Sequence, residues 1–177
     1  MLPARWRVRL GYVAGVAALL LARPTPRWLL MGLAPVILGE ALRVWASGHI
    51  EKTQRLATGG PYAHSQNPLY LGSTLMAAGF VLACSSLWVT LGAALYFLLF
   101  YPSAIRGEAA FLAARFPQEH AVWSAAVPRF LPRLRPAGPA ASRFAWQRVG
   151  VNKEWRTCLT LPLVFGLLMV RARFGGW

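Results

Sequence analysis

The sequence contains no aspartate: its acidic residues are five glutamates, Glu40, Glu51, Glu108, Glu119 and Glu154, against 19 Lys and Arg. Cysteine is nearly absent too. Cys84 and Cys158 stand in or beside apolar runs, with no CxxC pair and no Cys/His cluster. That spacing offers neither a disulfide framework nor a zinc site, so no metal is expected and both thiols read as small core residues. Charged residues of either sign make up only 14% of the 177 residues, whereas 56% are hydrophobic. A soluble chain of this length could not cover so much apolar surface. Several runs approach membrane-spanning length, so residues 1–177 read as one integral membrane domain. A net charge of +14 can signal nucleic acid. Here the basic residues flank apolar segments, as membrane orientation and anionic headgroups require, and no nucleic-acid partner is expected.

Taken in order, the apolar runs predict an all-α, polytopic membrane bundle of about five transmembrane helices. Arg5, Arg7 and Arg9 precede a first run at 8–22. It resembles a signal peptide but lacks a small-residue cleavage site before Arg23, so a retained span is expected. RPTPR at 23–27 makes an external turn. The second span, 28–45, carries Glu40 and Arg43, three apart and therefore on one helix face. Charges there face the bundle interior or a wet cavity, or else form an interfacial ion pair near the helix end. A polar connector at 46–67 carries His49, Glu51, Lys52, Gln54, Arg55 and His64; both histidines read as interfacial. Pro68 opens the third span, which ends at Cys84. Ser85 and Ser86 turn the chain into a fourth at 87–101, predicting an antiparallel hairpin.

Beyond Pro102 the pattern changes. Ile105, Phe111, Leu112 and Phe116 recur at helical spacing among Arg106, Glu108 and Arg115, predicting a helix that emerges onto the cytoplasmic surface and is bent or ended by Pro117. A basic interfacial segment follows at about 129–156, with Arg133 and Arg135 as headgroup anchors and 144–155 partly amphipathic. A short last span is expected at 157–170. With the 46–67 connector on the cytoplasmic side, the great majority of Lys and Arg lie there, leaving Arg23, Arg27, Arg171 and Arg173 opposite. That bias predicts N-terminus in and C-terminus out. The short chain and the preference for Arg over Lys suggest a bacterial inner membrane.

Residues 58–72, TGGPYAHSQNPLYLG, stand apart. So much glycine and proline cannot form a regular helix. Irregular backbone beside a membrane usually lines a protein-enclosed cavity, because exposed N–H and C=O groups are costly in lipid. The stretch therefore reads as the binding loop of a membrane enzyme, with an interfacial turn as the alternative.

Two segments together resemble the isoprenylcysteine carboxyl methyltransferase and phospholipid methyltransferase group, integral membrane enzymes that use S-adenosylmethionine. The first is LRVWASGHIEKTQRLATGGPYAHSQNPLYLGSTLMAAGF. The second, after one hairpin, is RGEAAFLAARFPQEHAVWSAAVPRFLP. The resemblance covers about 42–132. It rests on Gly60-Pro61-Tyr62, on Asn67, Pro68, Tyr70 and Gly72, on Glu108 and Leu112, and on Phe116 leading to Val127-Pro128-Arg129. It implies a cofactor site at the cytoplasmic surface. Gln54, Leu56, Ala57 and Tyr62 would lie along the cofactor, Asn67, Pro68, Leu69 and Tyr70 would close over it, and Glu108 would meet its charged amino-acid end. The product would be S-adenosylhomocysteine. Gln54 stands where many members have His, and Asn67 where members have His or Asn. Gln66 stands where members often have Arg, which removes a ligand for a carboxylate. Ala109 stands where many have a second Glu, which removes an acceptor for an ammonium.

The acceptor is expected to be lipidic and to arrive from the bilayer. An isoprenoid-linked carboxylate would need a cation, with Arg43, Arg106 and Arg129 as candidates. A lipid amine or hydroxyl would need a base, with Glu40 and Glu108 as candidates. Glu108, Arg106 and Arg43 are thus the expected catalytic set. Tyr62 and Tyr70 would offer electron-rich faces to a sulfonium, or else serve as belt residues. Two other readings stay open: a membrane reductase of the sterol-reductase type using NADPH, and a non-catalytic membrane protein retaining the fold.

Overall fold

Proline has no N–H to give, so it suits the first turn of a helix and marks where helices begin. The chain uses it that way three times. α2 (Pro26–Ser47), α3 (Pro68–Cys84) and α5 (Pro117–Ala126) each start on one. The computed structural model describes residues 4–51, 54–137 and 142–174; Lys52 and the side chains of Arg5 and Arg7 lie outside the described residues. Among the described residues there are seven α-helices and one 3-10 turn, with no strand. The remaining helices are α1 (Ala4–Leu21), α4 (Leu87–Arg115), α6 (Trp146–Val151) and α7 (Trp155–Phe174).

α2, α4 and α7 are long and apolar enough to cross a membrane, and α3 and the Arg9–Leu21 part of α1 are shorter apolar helices. The expected spans are recovered, with Ser85 and Ser86 as the turn between α3 and α4. Ser85 adopts a left-handed conformation (φ 47°), and its N–H closes on the Val81 and Leu82 carbonyls at 3.2 and 3.1 Å. The fourth span and the helix expected to emerge from it are one element, because α4 runs unbroken through Pro102 for 29 residues. At 1.5 Å per residue that is roughly 43 Å, longer than a hydrocarbon core of about 30 Å, so its last turns project beyond the membrane. Leu30, Leu38, Leu98, Leu163 and Met169 are each more than half exposed, as lipid-facing side chains should be.

The helix ends sort into two groups. At one end the Arg23 N–H donates to Cys84 O at 2.7 Å, and Arg171 caps the last carbonyls of α1, Ala22 O at 2.8 Å and Leu20 O at 2.9 Å. Ala22, Leu29, Ala83, Cys84, Val89 and Leu168 form a buried cluster there. The connectors, α5 and α6 occupy the other end. α1, α2, α3, α4 and α7 therefore alternate in direction, matching the five-span topology.

The closest helix pair is α2 with α3. Gly32 faces Gly79 and Gly39 faces Gly72, seven residues apart on both antiparallel helices, so the two backbones touch. Small residues at such crossings are the usual means of close helix packing in lipid. This places the start of α3, and with it the loop that precedes it, hard against α2.

Candidate binding cleft

The connector between α2 and α3 is irregular, yet many of its described polar groups are tied down. The ties reach forward to the segment after α4. Gln66 N donates to Pro128 O (2.9 Å), Arg133 N to His64 O (2.9 Å) and Ala137 N to Ala63 O (2.9 Å). Side chains add to this zipper: Ser65 Oγ donates to Phe130 O at 2.8 Å, and Asn67 Nδ2 to Arg129 O at 2.7 Å. Trp123 Nε1 on α5 donates to Tyr62 O at 2.9 Å. The first half of the connector is held by the segment before α7, where Asn152 Nδ2 donates to Ser47 O at 2.8 Å and Arg148 pairs with Glu51. Two stretches more than fifty residues apart thus form one rigid cap.

Gly60 shows why this loop needs glycine. Its φ is +57°, and a Cβ there would strike the imidazole of His49. His49 is buried and fixed by Trp45 O, 2.9 Å from its Nδ1, so it supports the loop from beneath and is not interfacial. Gly60→Ala should cost at least about 1–2 kcal/mol, the price of a left-handed non-glycine residue, before any clash with His49. Thermal unfolding in detergent measures it, and an unchanged midpoint would mean the loop can rearrange.

Between cap and helices lies a cleft of about 330 Å³. The loop contributes Ile50, Glu51, Arg55, Leu56, Ala57, Tyr62, Gln66 and Asn67, and α3 contributes Leu69. The projecting end of α4 contributes Glu108, Ala109, Phe111 and Leu112, and beyond it lie Phe116, His120 and Trp123. Of the residues expected at the site, Leu56, Ala57, Tyr62, Asn67, Leu69 and Glu108 meet here. Burial pushes the Tyr62 phenol well above its ordinary pKa, the Glu108 carboxylate adds to the rise, and Arg43 opposes it. Tyr62 therefore stays a protonated hydrogen-bond donor.

The other expected residues sit elsewhere, for geometric reasons. Arg106 is exposed and off the cleft, two residues from Glu108 and so on nearly the opposite face of α4. Tyr70 turns to Tyr101, ring centroids 5.2 Å apart, because neighbours on a helix diverge by a quarter turn and Leu69 takes the cleft side. Pro68 is fully buried as the first residue of α3. Gln54 is exposed beside the cleft, and Arg129 is exposed and offers only its carbonyl, to Asn67.

Arg43 belongs to a separate polar cluster between α2, α3 and α7. Its guanidinium contacts Glu154 at 2.6 Å and donates to Ser73 Oγ at 2.5 Å, with Glu40 4.0 Å away. Cys158 Sγ donates to Glu40 Oε1 at 2.8 Å, so this exposed cysteine is a hydrogen-bonding partner, where a core residue was expected. The cluster uses up the charge that would have made Arg43 a substrate cation.

Gln66, where a positive charge was expected, binds protein. Its Nε2 donates to Ser124 O (3.0 Å) and Val127 O (2.6 Å), satisfying carbonyls at the C-terminal end of α5. Sequence reasoning missed His120 and Trp123. The signal was present, since Glu108, Leu112, Phe116 and His120 lie four apart and all line the cleft. Among the described residues no group of three or more His, Cys, Asp or Glu side chains could hold a metal ion.

The phospholipid methyltransferase family profile matches residues 38–119, from the middle of α2 into α5. The chain is 37% identical over 138 residues to the cobalt-zinc-cadmium resistance protein CzcN of Cupriavidus metallidurans, covering 73% of this chain and 62% of that protein. It is 32% identical over 108 residues to the nickel-cobalt-cadmium resistance protein NccN of Alcaligenes xylosoxydans xylosoxydans, covering 60% of this chain and 50% of that protein. No solved structure matches the chain.

Proposed function

We propose, from the match of residues 38–119 to the phospholipid methyltransferase family, that this membrane protein transfers a methyl group from S-adenosylmethionine to a lipidic acceptor. One observation carries the reading. The two segments that bear the family pattern are bonded into a single cap over one cleft of about 330 Å³, the lower part of the range for small-molecule sites.

The lining suits a cationic donor. Glu51, Glu108, Arg55 and His120 share the lining with the aromatic rings of Tyr62, Phe116 and Trp123. A nicotinamide dinucleotide brings several phosphates and would want a cationic lining, whereas Arg55 is the single Lys or Arg among the described lining residues. The donor, when bound, supplies an electrophilic methyl on a sulfonium, so an in-line displacement needs positioning more than covalent help. In this chain Glu108 would hold the ammonium end, Tyr62 would donate its O–H, and the aromatic walls would keep water out. Phe111 lines the cleft and is 56% exposed at the projecting end of α4. A lipid acceptor would enter beside it, on the cytoplasmic side of a bacterial inner membrane.

Glu108→Gln should weaken S-adenosylhomocysteine about three- to tenfold, below the full value of a charged hydrogen bond because the residue is exposed. Calorimetry on the two proteins measures this, and equal affinities would remove Glu108 from the site. For the reaction itself, membranes containing the protein are incubated with methyl-labelled S-adenosylmethionine. Label is expected in the extracted lipid; label no higher than in membranes lacking the protein would contradict lipid methylation. The relatives' names favour a cellular setting in which this transfer contributes to tolerance of cobalt, zinc or cadmium. Deleting the gene should then lower the cadmium concentration that stops growth, and an unchanged limit would remove that setting.

A further inference from the structure

We infer that His120 is the residue that reads the adenine ring of the donor, through Nε2. The inference rests on the methyl-transfer reading above and assigns the cleft's nucleoside end. His120 Nε2 is sealed from water and has no hydrogen-bond partner. A buried polar atom left unmet costs free energy in the empty protein, and native structures keep few of them. The residue lines the cleft, so a turn of its ring would bring Nε2 to a ligand that supplies the missing bond.

The surroundings select the kind of ligand. The imidazole stands edge-on to Trp123, centroids 5.8 Å apart, and Trp123 is itself fixed by its bond to Tyr62 O. Phe116, one turn earlier, lines the same cleft. The charged and titratable groups of the cleft come from other elements: Glu51 and Arg55 from the loop, Tyr62 from the 3-10 turn, Glu108 from α4. Glu51 is already paired with Arg148. An ion pressed against a water-excluded nitrogen among aromatic rings would be expensive to desolvate. A neutral flat heterocycle is not. Adenine presents donors and acceptors along its edge and a π face to each side, and a neutral imidazole nitrogen is a donor or an acceptor according to its tautomer. The donor's charged amino-acid end then falls to Glu108.

Ligand truncation tests the assignment. 5′-Methylthioadenosine keeps adenine and ribose but lacks the amino-acid end of S-adenosylhomocysteine. His120→Ala should weaken both ligands equally, by about tenfold. Glu108→Gln should weaken S-adenosylhomocysteine and leave methylthioadenosine unchanged. His120→Gln, which restores a side-chain donor and acceptor, should recover part of the lost affinity. His120→Phe should bind like His120→Ala while melting no lower than wild type without ligand, because Nε2 makes no bond within the protein. Loss confined to S-adenosylhomocysteine in His120→Ala would move His120 to the amino-acid end and overturn the assignment. Unchanged affinity for both would overturn it as well. Wild-type protein that binds neither ligand would instead overturn the methyl-transfer reading, and this inference with it.

Discussion

Glu154→Ala is expected to lower stability by about 3–5 kcal/mol, the largest effect of any single change outside the backbone, because it strands Arg43. The guanidinium meets Glu154 at 2.6 Å; Arg43 is 20% exposed and Glu154 6%. Removing the carboxylate leaves Arg43, largely shielded from water, with Ser73 Oγ as its near side-chain partner and the Glu40 carboxylate more distant at 4.0 Å. The pair joins α7 to α2 and α3 across 111 residues of sequence, so its loss should also loosen the start of α7. Removing both partners tests the mechanism. Arg43→Met with Glu154→Met leaves no orphaned charge and should recover most of the loss, since apolar replacements of buried pairs are often neutral. Thermal unfolding in detergent of the two single variants and the double measures the coupling. Additive single costs would mean that the pair is not the joint described here.

The second large effect concerns the α2–α3 crossing. A Cβ at Gly39 would lie 2.5 Å from Gly72 O and 2.7 Å from Met76 Cγ; one at Gly72 would lie 2.7 Å from Gly39 O and 2.6 Å from Arg43 Cγ. The obstacles are backbone and helix-bound atoms, which cannot swing aside. Gly39→Leu must therefore push the helices apart, at a cost of roughly 3 kcal/mol or more, the upper range for overpacking. The shift would carry Asn67 and Leu69 away from α4 and so open the cleft, and donor affinity should fall together with melting temperature. Gly92 is the control. It lies on α4 with nothing near its Cβ position, so Gly92→Ala should be neutral or slightly stabilising through helix propensity. Equal behaviour of the two variants would refute the backbone contact.

Much of this fold is legible along the chain because apolar runs and prolines act locally. Pro68 sets a helix start, RPTPR and Ser85-Ser86 set turns, and Pro117 marks the end of the helix before it, while the new helix that Pro117 begins was not foreseen. Pro102 lies inside α4 and is tolerated there, as prolines in membrane helices often are. Arg43 and Glu154 could not be paired from sequence, because nothing local links positions 111 residues apart. Nor could Arg106 be separated from Glu108 until the face of α4 that meets the loop was known. The site was legible where a residue's role follows from the backbone it occupies, as at Gly60. It was opaque where the role depends on what a side chain meets, as at Gln66, whose amide binds α5, and at His120, whose buried Nε2 has no hydrogen-bond partner.

The central claim is that the cap and α4 enclose a site for a sulfonium methyl donor. Calorimetric titration of the purified protein in detergent with S-adenosylhomocysteine, and separately with NADPH, tests it most directly. The account predicts one saturable site for S-adenosylhomocysteine, weakened in Tyr62→Ala and Asn67→Ala, and no saturable binding of NADPH. Saturable binding of NADPH, with none of S-adenosylhomocysteine, would contradict it.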